Sequence, residues 1–343
     1  MPDNVVRLGS PGELVQAVPQ LLGYLPTDSI VMLCLKGSRL RLELTLRYDL
    51  ELADIAPVDL VEEMAARARL VTSRQVFVIV YGSEAPETVA DLPYRDVADL
   101  MEAKWRFPLR EMVYTARGRW WSYRCDDQRC CPAEGTALDP STPAIGRLAA
   151  ERAGGGVAML PDRAAIVRSV ALDDDGDLED RQDQVAAALL AAGGMEIGLR
   201  RRRTRELTHQ LVARLSDPRS TVRDDEAFEL AGLVWHVLAR DEVLVLGGDD
   251  DRRTILLRIL RQVVRRVPPP FDAPVCTLLS WFAYADGDGT MANVALTRAL
   301  DTDPDYSLAG LIAGALERQV PPSCLHEVMA RGAEDLNGRS AAG

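Results

Sequence analysis

The chain has 343 residues, 47% of them hydrophobic, which is enough for a sizeable core and excludes wholesale disorder. Lys and Arg total 40 against 52 Asp and Glu, a net charge of −12, so general polyanion binding is excluded unless a local basic patch supplies it. At roughly 100–200 residues per domain, the length fits two domains, or one large one with a helical extension.

The N-terminal MPDNVVRLGSPGELV has no basic segment followed by an apolar run, so no secretory signal is expected. No stretch approaches about 18 uninterrupted apolar residues, so no membrane span is expected. A cytoplasmic protein with reduced thiols follows as the expectation. Lys36 and Lys104 are the only lysines; the arginine bias suits a GC-rich genome.

Ser10-Pro11-Gly12-Glu13 has the form of a helix start, with a capping serine, proline at the first position and a capping-box glutamate. Pro19 is expected to shorten or bend that helix. Ile30 to Leu35 is a continuous apolar run suited to a strand buried on both faces. After the Lys36-Gly37-Ser38 turn, Leu40, Leu42, Leu44 and Leu46 alternate with Arg41, Glu43 and Thr45, which predicts a half-solvated hairpin partner. Asp59 to Leu70 reads as helix and Val76 to Tyr81 as a central strand. Thr88 to Trp105 reads as helix interrupted near Pro93. Glu111 to Thr115 and Arg119 to Tyr123 form a last hairpin around Arg117-Gly118. The order ββαβαββ predicts an α/β domain with a mixed sheet over residues 1–140.

After residue 141 strands largely vanish from the pattern. Residues 141–200 read as linker and helices, with the acidic segment Asp173 to Asp183 as an exposed turn or linker. Residues 201–331 read as an all-α domain, with one helix over 224–239 and a break at Pro268-Pro269-Pro270. Residues 332–343 read as a flexible tail.

The segment Arg119-Trp120-Trp121-Ser122-Tyr123-Arg124-Cys125, with Cys130-Cys131-Pro132 after it, is the densest in chemistry. On a strand, Trp120 and Trp121 face opposite sides. One enters the core; the other needs cover from the C-terminal helices, a partner chain or a ligand. Trp120, Trp121, Tyr123 and Arg124 are therefore the candidate binding surface. A loop can join the sulfurs of Cys125, Cys130 and Cys131 in a nook between the two halves. Four states compete there: inert thiols, a local disulfide, a structural zinc site, or a reactive thiol whose thiolate Arg119 stabilises. Tetrahedral zinc wants a fourth ligand; Cys34, Cys276, Cys324, Asp126, Glu134 or a histidine are the candidates.

This motif resembles a signature of the actinobacterial domain-of-unknown-function family 4192. So do SPGELVQAVPQLLGYLPTDSIVML, from Ser10, and GDGTMANVALTRALDTDPDYSLA, residues 287–309. The resemblance implies a cytoplasmic protein from a GC-rich actinobacterium and carries over no catalytic role.

Weaker signals have plain structural readings. Gly287 to Ala292 matches G-x-G-x-x-A but lacks the preceding strand and the acidic residue that a dinucleotide site needs. Asp286 and Asp288 begin a calcium-loop pattern that Met291 and Thr297 break. Ala292, Leu296, Ala299 and Pro304 match half of a tetratricopeptide unit, which predicts a helical hairpin. Arg200, Arg201, Arg202, Arg203 and Arg205 form a basic run, read either as salt bridges to acids, the 173–183 segment included, or as a nucleic-acid patch. His209, His236 and His326 all fall in expected helices, and Asp28-Ser29 reads as a turn. The leading expectation is a non-catalytic binding or regulatory module, with a protein or small ligand as partner. A cysteine-dependent enzyme using Cys125, Cys130 or Cys131 is the first alternative, and a nucleic-acid-associated protein the second.

Overall fold

Every residue from Ile30 to Leu35 is buried, as a strand covered on both faces requires. The computed structural model describes residues 6–125, 127–154, 159–174 and 176–340. The chain divides into two compact units, Met1–Arg163 and Ala164–Gly343.

The first unit runs α1 (Pro11–Leu22), β1 (Ser29–Lys36), β2 (Arg41–Asp49), α2 (Glu51–Ile55), α3 (Pro57–Leu70), β3 (Gln75–Tyr81), α4 (Arg95–Lys104), β4 (Leu109–Ala116), β5 (Arg119–Ser122), β6 (Thr136–Ala137) and α5 (Pro143–Gly154). The mixed sheet has the order β2-β1-β3-β4-β5-β6. Only β3 and β4 pair in parallel, because α4 returns the chain to the same end of the sheet. β6 is absent from the expected order; two residues are too short to carry a periodic signal, and pairing with Arg119 and Trp120 creates it.

Side chains alternate across the sheet. Ile30, Met32, Val78, Val80 and Met112 join Leu60, Val61 and Met64 of α3 and Val97, Ala98 and Met101 of α4 in one core. Val31, Leu33, Phe77, Ile79 and Val113 take the opposite parity and are buried too. On that face the Tyr81 hydroxyl donates to the Val15 carbonyl of α1 at 2.7 Å.

α1 carries the expected capping box: Ser10 accepts from the Glu13 N–H, and the Glu13 carboxylate accepts from the Ser10 N–H. Pro19 does not end it; the helix runs to Leu22, and Gly23 closes it at φ 85°. α5 belongs with this unit. Arg152 donates to the Gln20 carbonyl at 2.8 Å, and the Leu160 N–H donates to Gly23 at 3.0 Å. The unit therefore extends past residue 140, where strand signals end, because a helix without strand character packs back on α1.

The second unit is helical: α6 (Arg163–Ser169), α7 (Leu178–Gly193), α8 (Ile197–Leu215), α9 (Asp224–Val234), α10 (Val237–Leu246), α11 (Asp250–Val264), α12 (Ala273–Ala285), α13 (Gly289–Thr302), α14 (Ser307–Glu317) and α15 (Pro322–Ser340). Three features differ from the expectation. The acidic segment is an exposed turn only up to Asp177; from Leu178 it is the start of α7, where Asp177 accepts from the Glu179 N–H, and before it Asp173 pairs with Arg265; its Asp175 lies outside the described residues. The expected 224–239 helix breaks at Trp235-His236, because His236 Nδ1 caps α10 by accepting from the Leu238 N–H at 3.2 Å. α15 continues through Gly332 to Ser340, where a polar tail was expected. Among the described residues, no helix is long and apolar enough to cross a membrane.

α12 is buried at every position but Trp281, so it forms the centre of this unit. α12 and α13 form the expected helical hairpin, joined where Ser280 donates to the Ala292 carbonyl at 2.8 Å. At its base Asp272 is fully buried and accepts from Arg298 Nε at 2.7 Å and from Thr302 at 2.9 Å. Arg298 also donates to the carbonyls of Val170 and Val267. Removing the cation leaves a buried carboxylate and two carbonyls without their donor. Arg298→Ala is expected to lower stability by about 3–5 kcal/mol, read from urea unfolding followed by far-UV circular dichroism. A loss below about 1 kcal/mol, the range of a surface pair, would contradict this role for the pair.

Candidate metal centre

β5 pairs with β4 so that Trp121 lies opposite Tyr114 and Trp120 opposite Thr115. This register sends Trp121 and Tyr123 into the α3–α4 core, both buried, with the Trp121 and Tyr114 ring centroids 6.1 Å apart. The Tyr123 hydroxyl donates to the Pro93 carbonyl, and Arg95 lies over its ring. Neither residue is exposed as binding surface: Ala133 and Gly135 of the loop lie against Trp121, and Pro93 and Arg95 lie against Tyr123. Trp120 takes the opposite face and is half-buried. Its cover is α1: a Cβ on Gly12 would stand 3.0 Å from the Trp120 indole nitrogen and 3.7 Å from Leu138. The second tryptophan is thus covered from within its own unit, and Gly12 is glycine where the helix approaches it. Arg124 is exposed, yet it pairs with Glu102 at 2.8 Å and donates to the Leu109 and Arg110 carbonyls.

The loop after β5 is closed by its own backbone and by β5. Asp127 caps it, its carbonyl accepting from the N–H groups of Cys130 and Cys131 at 2.9 and 2.7 Å. Trp121 Nε1 donates to the Ala133 carbonyl at 3.0 Å. Arg119 donates to the carbonyls of Glu134 and Gly135 at 3.2 and 2.7 Å. Arg119 therefore anchors the loop through its Nη1. Gly135 has φ 77°, and a Cβ there would lie 2.4 Å from Trp121 Cε2. Trp121, Asp127 and Arg119, which hold the loop, belong to the first unit.

These constraints converge the sulfurs. The Sγ atoms of Cys125, Cys130 and Cys131 all lie within 4.8 Å of one another, and none forms a disulfide. Around tetrahedral zinc with bonds of about 2.3 Å, sulfurs sit about 3.8 Å apart, so a small contraction would seat an ion. Cys131 is buried, Cys125 half-buried and Cys130 exposed. Burial, then the neighbouring Cys125 and Cys130 thiols, push the Cys131 thiol up to about 12. Crowded thiols without a cation behave this way, and a divalent ion reverses the preference. Among the described residues, no other Cys, His, Asp or Glu joins the three. Cys34 lies in the sheet core, Cys276 is buried beside Asp272, and Cys324 stands on α15. The Glu134 carboxylate stays outside the group, and Asp126 lies outside the described residues.

Residues 11–323 match the family described as Domain of unknown function (DUF4192). The chain belongs to the DUF4192 family. Comparison with curated proteins and with solved structures finds no match. The DUF4192 match runs through both units and contains the whole cysteine loop.

The other residues singled out in this DUF4192 chain have structural employment. Glu242, 2% exposed, accepts from both Arg201 and Arg205 at 2.7 and 2.9 Å. Glu229 takes Arg203 at 2.6 Å, and Arg200 is buried. Of the run only Arg202 is exposed. The partners stand on α9 and α10, not in the 173–183 segment, because one helix face meets its packing neighbours. Gly287, with φ 81°, makes the α12–α13 turn, Asp288 caps α13, and Asp286 and Asp288 pair with Arg253 and Arg261. His236 is a cap, and His326 Nε2 lies 2.8 Å from the Ala285 carbonyl. Asp28 is a turn residue at φ 43°, and Ser29 accepts from Arg47 at 2.8 Å.

Two measurements test these placements. Gly135→Ala forces the loop off Trp121 and is expected to cost about 1–3 kcal/mol, with a changed tryptophan emission; unchanged stability and emission would refute the close approach. Arg201→Ala with Arg205→Ala leaves Glu242 buried and unpaired, so thermal stability is expected to fall by about 3 kcal/mol. Nucleic-acid retention lost without any loss of stability would return the run to a binding role.

Proposed function

We propose that this chain is a non-catalytic binding or regulatory module, cytoplasmic, in which Cys125, Cys130 and Cys131 hold a structural zinc ion beside the tryptophan-bearing strand. The observation that carries the reading is the convergence of three free sulfurs within 4.8 Å, in a loop tied down by Trp121 and Arg119. Thiolate sulfur suits zinc, and the ion would bind a loop that otherwise hangs on a few hydrogen bonds. The partner is a protein or a small ligand, met at the exposed rim of the loop.

The thiol-enzyme alternative draws less support. Burial and neighbouring thiols push Cys131 toward its protonated form, and Arg119 is held by two carbonyls. The nucleic-acid alternative loses its cations to Glu242 and Glu229.

Metal analysis of protein purified without added chelator tests the reading. About one zinc per chain is expected, as a single thiolate site requires. A strong chelator should release it, make Cys125 and Cys130 react with a thiol reagent and change the tryptophan emission. Cys131→Ser should purify with little zinc. Metal-free protein whose Cys130 reacts at once and whose fold ignores added zinc would defeat the proposal.

A further inference from the structure

The three sulfurs differ in their access to water. Cys130 is exposed, Cys125 half-buried and Cys131 buried. All three are free thiols with Sγ atoms within 4.8 Å of one another, so closing an S–S bond of about 2 Å requires only a local side-chain movement. An accessible thiol with a second thiol at hand oxidises reversibly, whereas a buried structural thiol is inert.

Chain geometry selects the pair that closes. Cys130 and Cys131 are neighbours in sequence, and the Asp127 carbonyl holds both of their N–H groups, at 2.9 and 2.7 Å. An S–S bond between them would close a ring through a single peptide bond and distort that turn, which stores strain in the bond. Cys125 stands on the other arm of the loop, five positions before Cys130, so a bond between these two closes a wider ring. Of the two sulfurs within reach of Cys130, Cys125 is also the less buried.

We infer that Cys130 is a redox-modification site, oxidised by a hydroperoxide and closed by Cys125 into a Cys125–Cys130 disulfide, with Cys131 left unoxidised. The Cys130 thiolate attacks an oxygen of the hydroperoxide; the O–O bond breaks, and its electron pair leaves on alkoxide or hydroxide. The Cys125 thiolate then attacks the sulfur of the Cys130 sulfenic acid; the S–S bond forms, the S–O bond breaks and hydroxide leaves. The two cysteines have given two electrons to the peroxide bond, and their two protons end on the two leaving oxygens. A thiol reductant reverses the oxidation. The disulfide rests on the free sulfurs alone. Its effect on a metal rests on the metal-binding reading above: zinc is held by thiolates, so the disulfide withdraws two of the three donors and releases the ion.

Hydrogen peroxide added to the zinc-depleted full chain tests the pairing. Trypsin cleavage after Arg124 and Arg129 leaves Cys125 on one peptide and Cys130 with Cys131 on another, so mass mapping after alkylation of the unfolded chain reads the pair directly. A loss of two of the six free thiols is expected, with the two peptides linked and the alkyl group on Cys131. Cys131→Ser should form the same disulfide. Cys125→Ser should instead leave a sulfenic acid on Cys130 that a dimedone probe traps. A Cys130–Cys131 or Cys125–Cys131 disulfide, links between chains only, or irreversible oxidation of Cys130 beside an intact Cys125 thiol would each overturn the assignment. The zinc-loaded chain should release about one zinc per disulfide, read with a chromogenic chelator; zinc retained after the disulfide has formed would overturn the coupling. A chain that never holds zinc yet forms the disulfide would support the redox pair and defeat the metal reading.

Discussion

The hydrogen bond from the Trp121 indole to the Ala133 carbonyl, made directly beneath Gly135, is the constraint on which the cysteine corner depends. It ties a loop that has little regular structure to the last full strand of the sheet. It also keeps the indole nitrogen satisfied while its ring is buried, which a core tryptophan requires. With the loop pinned there, Arg119 reaches the next two carbonyls and Asp127 gathers the N–H groups of Cys130 and Cys131. The sulfurs meet because the backbone is held at both ends.

That anchor in turn rests on the sheet. β5 is placed by β4, and β4 by its parallel pairing with β3, whose residues are buried on both faces. A slip of one residue in β5 would exchange Trp120 and Trp121 between the faces. The indole that now meets Ala133 would then lie against Gly12, and the loop would lose its tether. Fold and candidate site are joined through register.

The second unit shows a different economy. Its arginines are numerous, but the ones that looked like a binding patch neutralise buried or half-buried acids between helices. Asp272 with Arg298 and Glu242 with Arg201 and Arg205 hold helix pairs together where apolar packing alone would leave the choice of neighbour open. Such pairs are strong only when complete, so each cation acts as a structural part and is not free for a ligand.

Much was legible in the residues themselves. The Ile30–Leu35 run, the alternation after Lys36 and the capping box at Ser10 announce their elements because their physics is local: burial on two faces, burial on one, and side chains within one turn. The grouping of Cys125, Cys130 and Cys131 was visible for the same reason, since a loop of that length joins them. What escaped the sequence was non-local. α5 carries no mark that it packs on α1, two-residue β6 exists only through its partner, and nothing in Arg201 names Glu242. The division of labour between the tryptophans was likewise decided in three dimensions. Strand alternation requires them to separate, but only the packed sheet settles that Trp121 goes inward over the cysteine loop and that Trp120 is covered by α1, because a side chain's surroundings are set by elements far away in the chain.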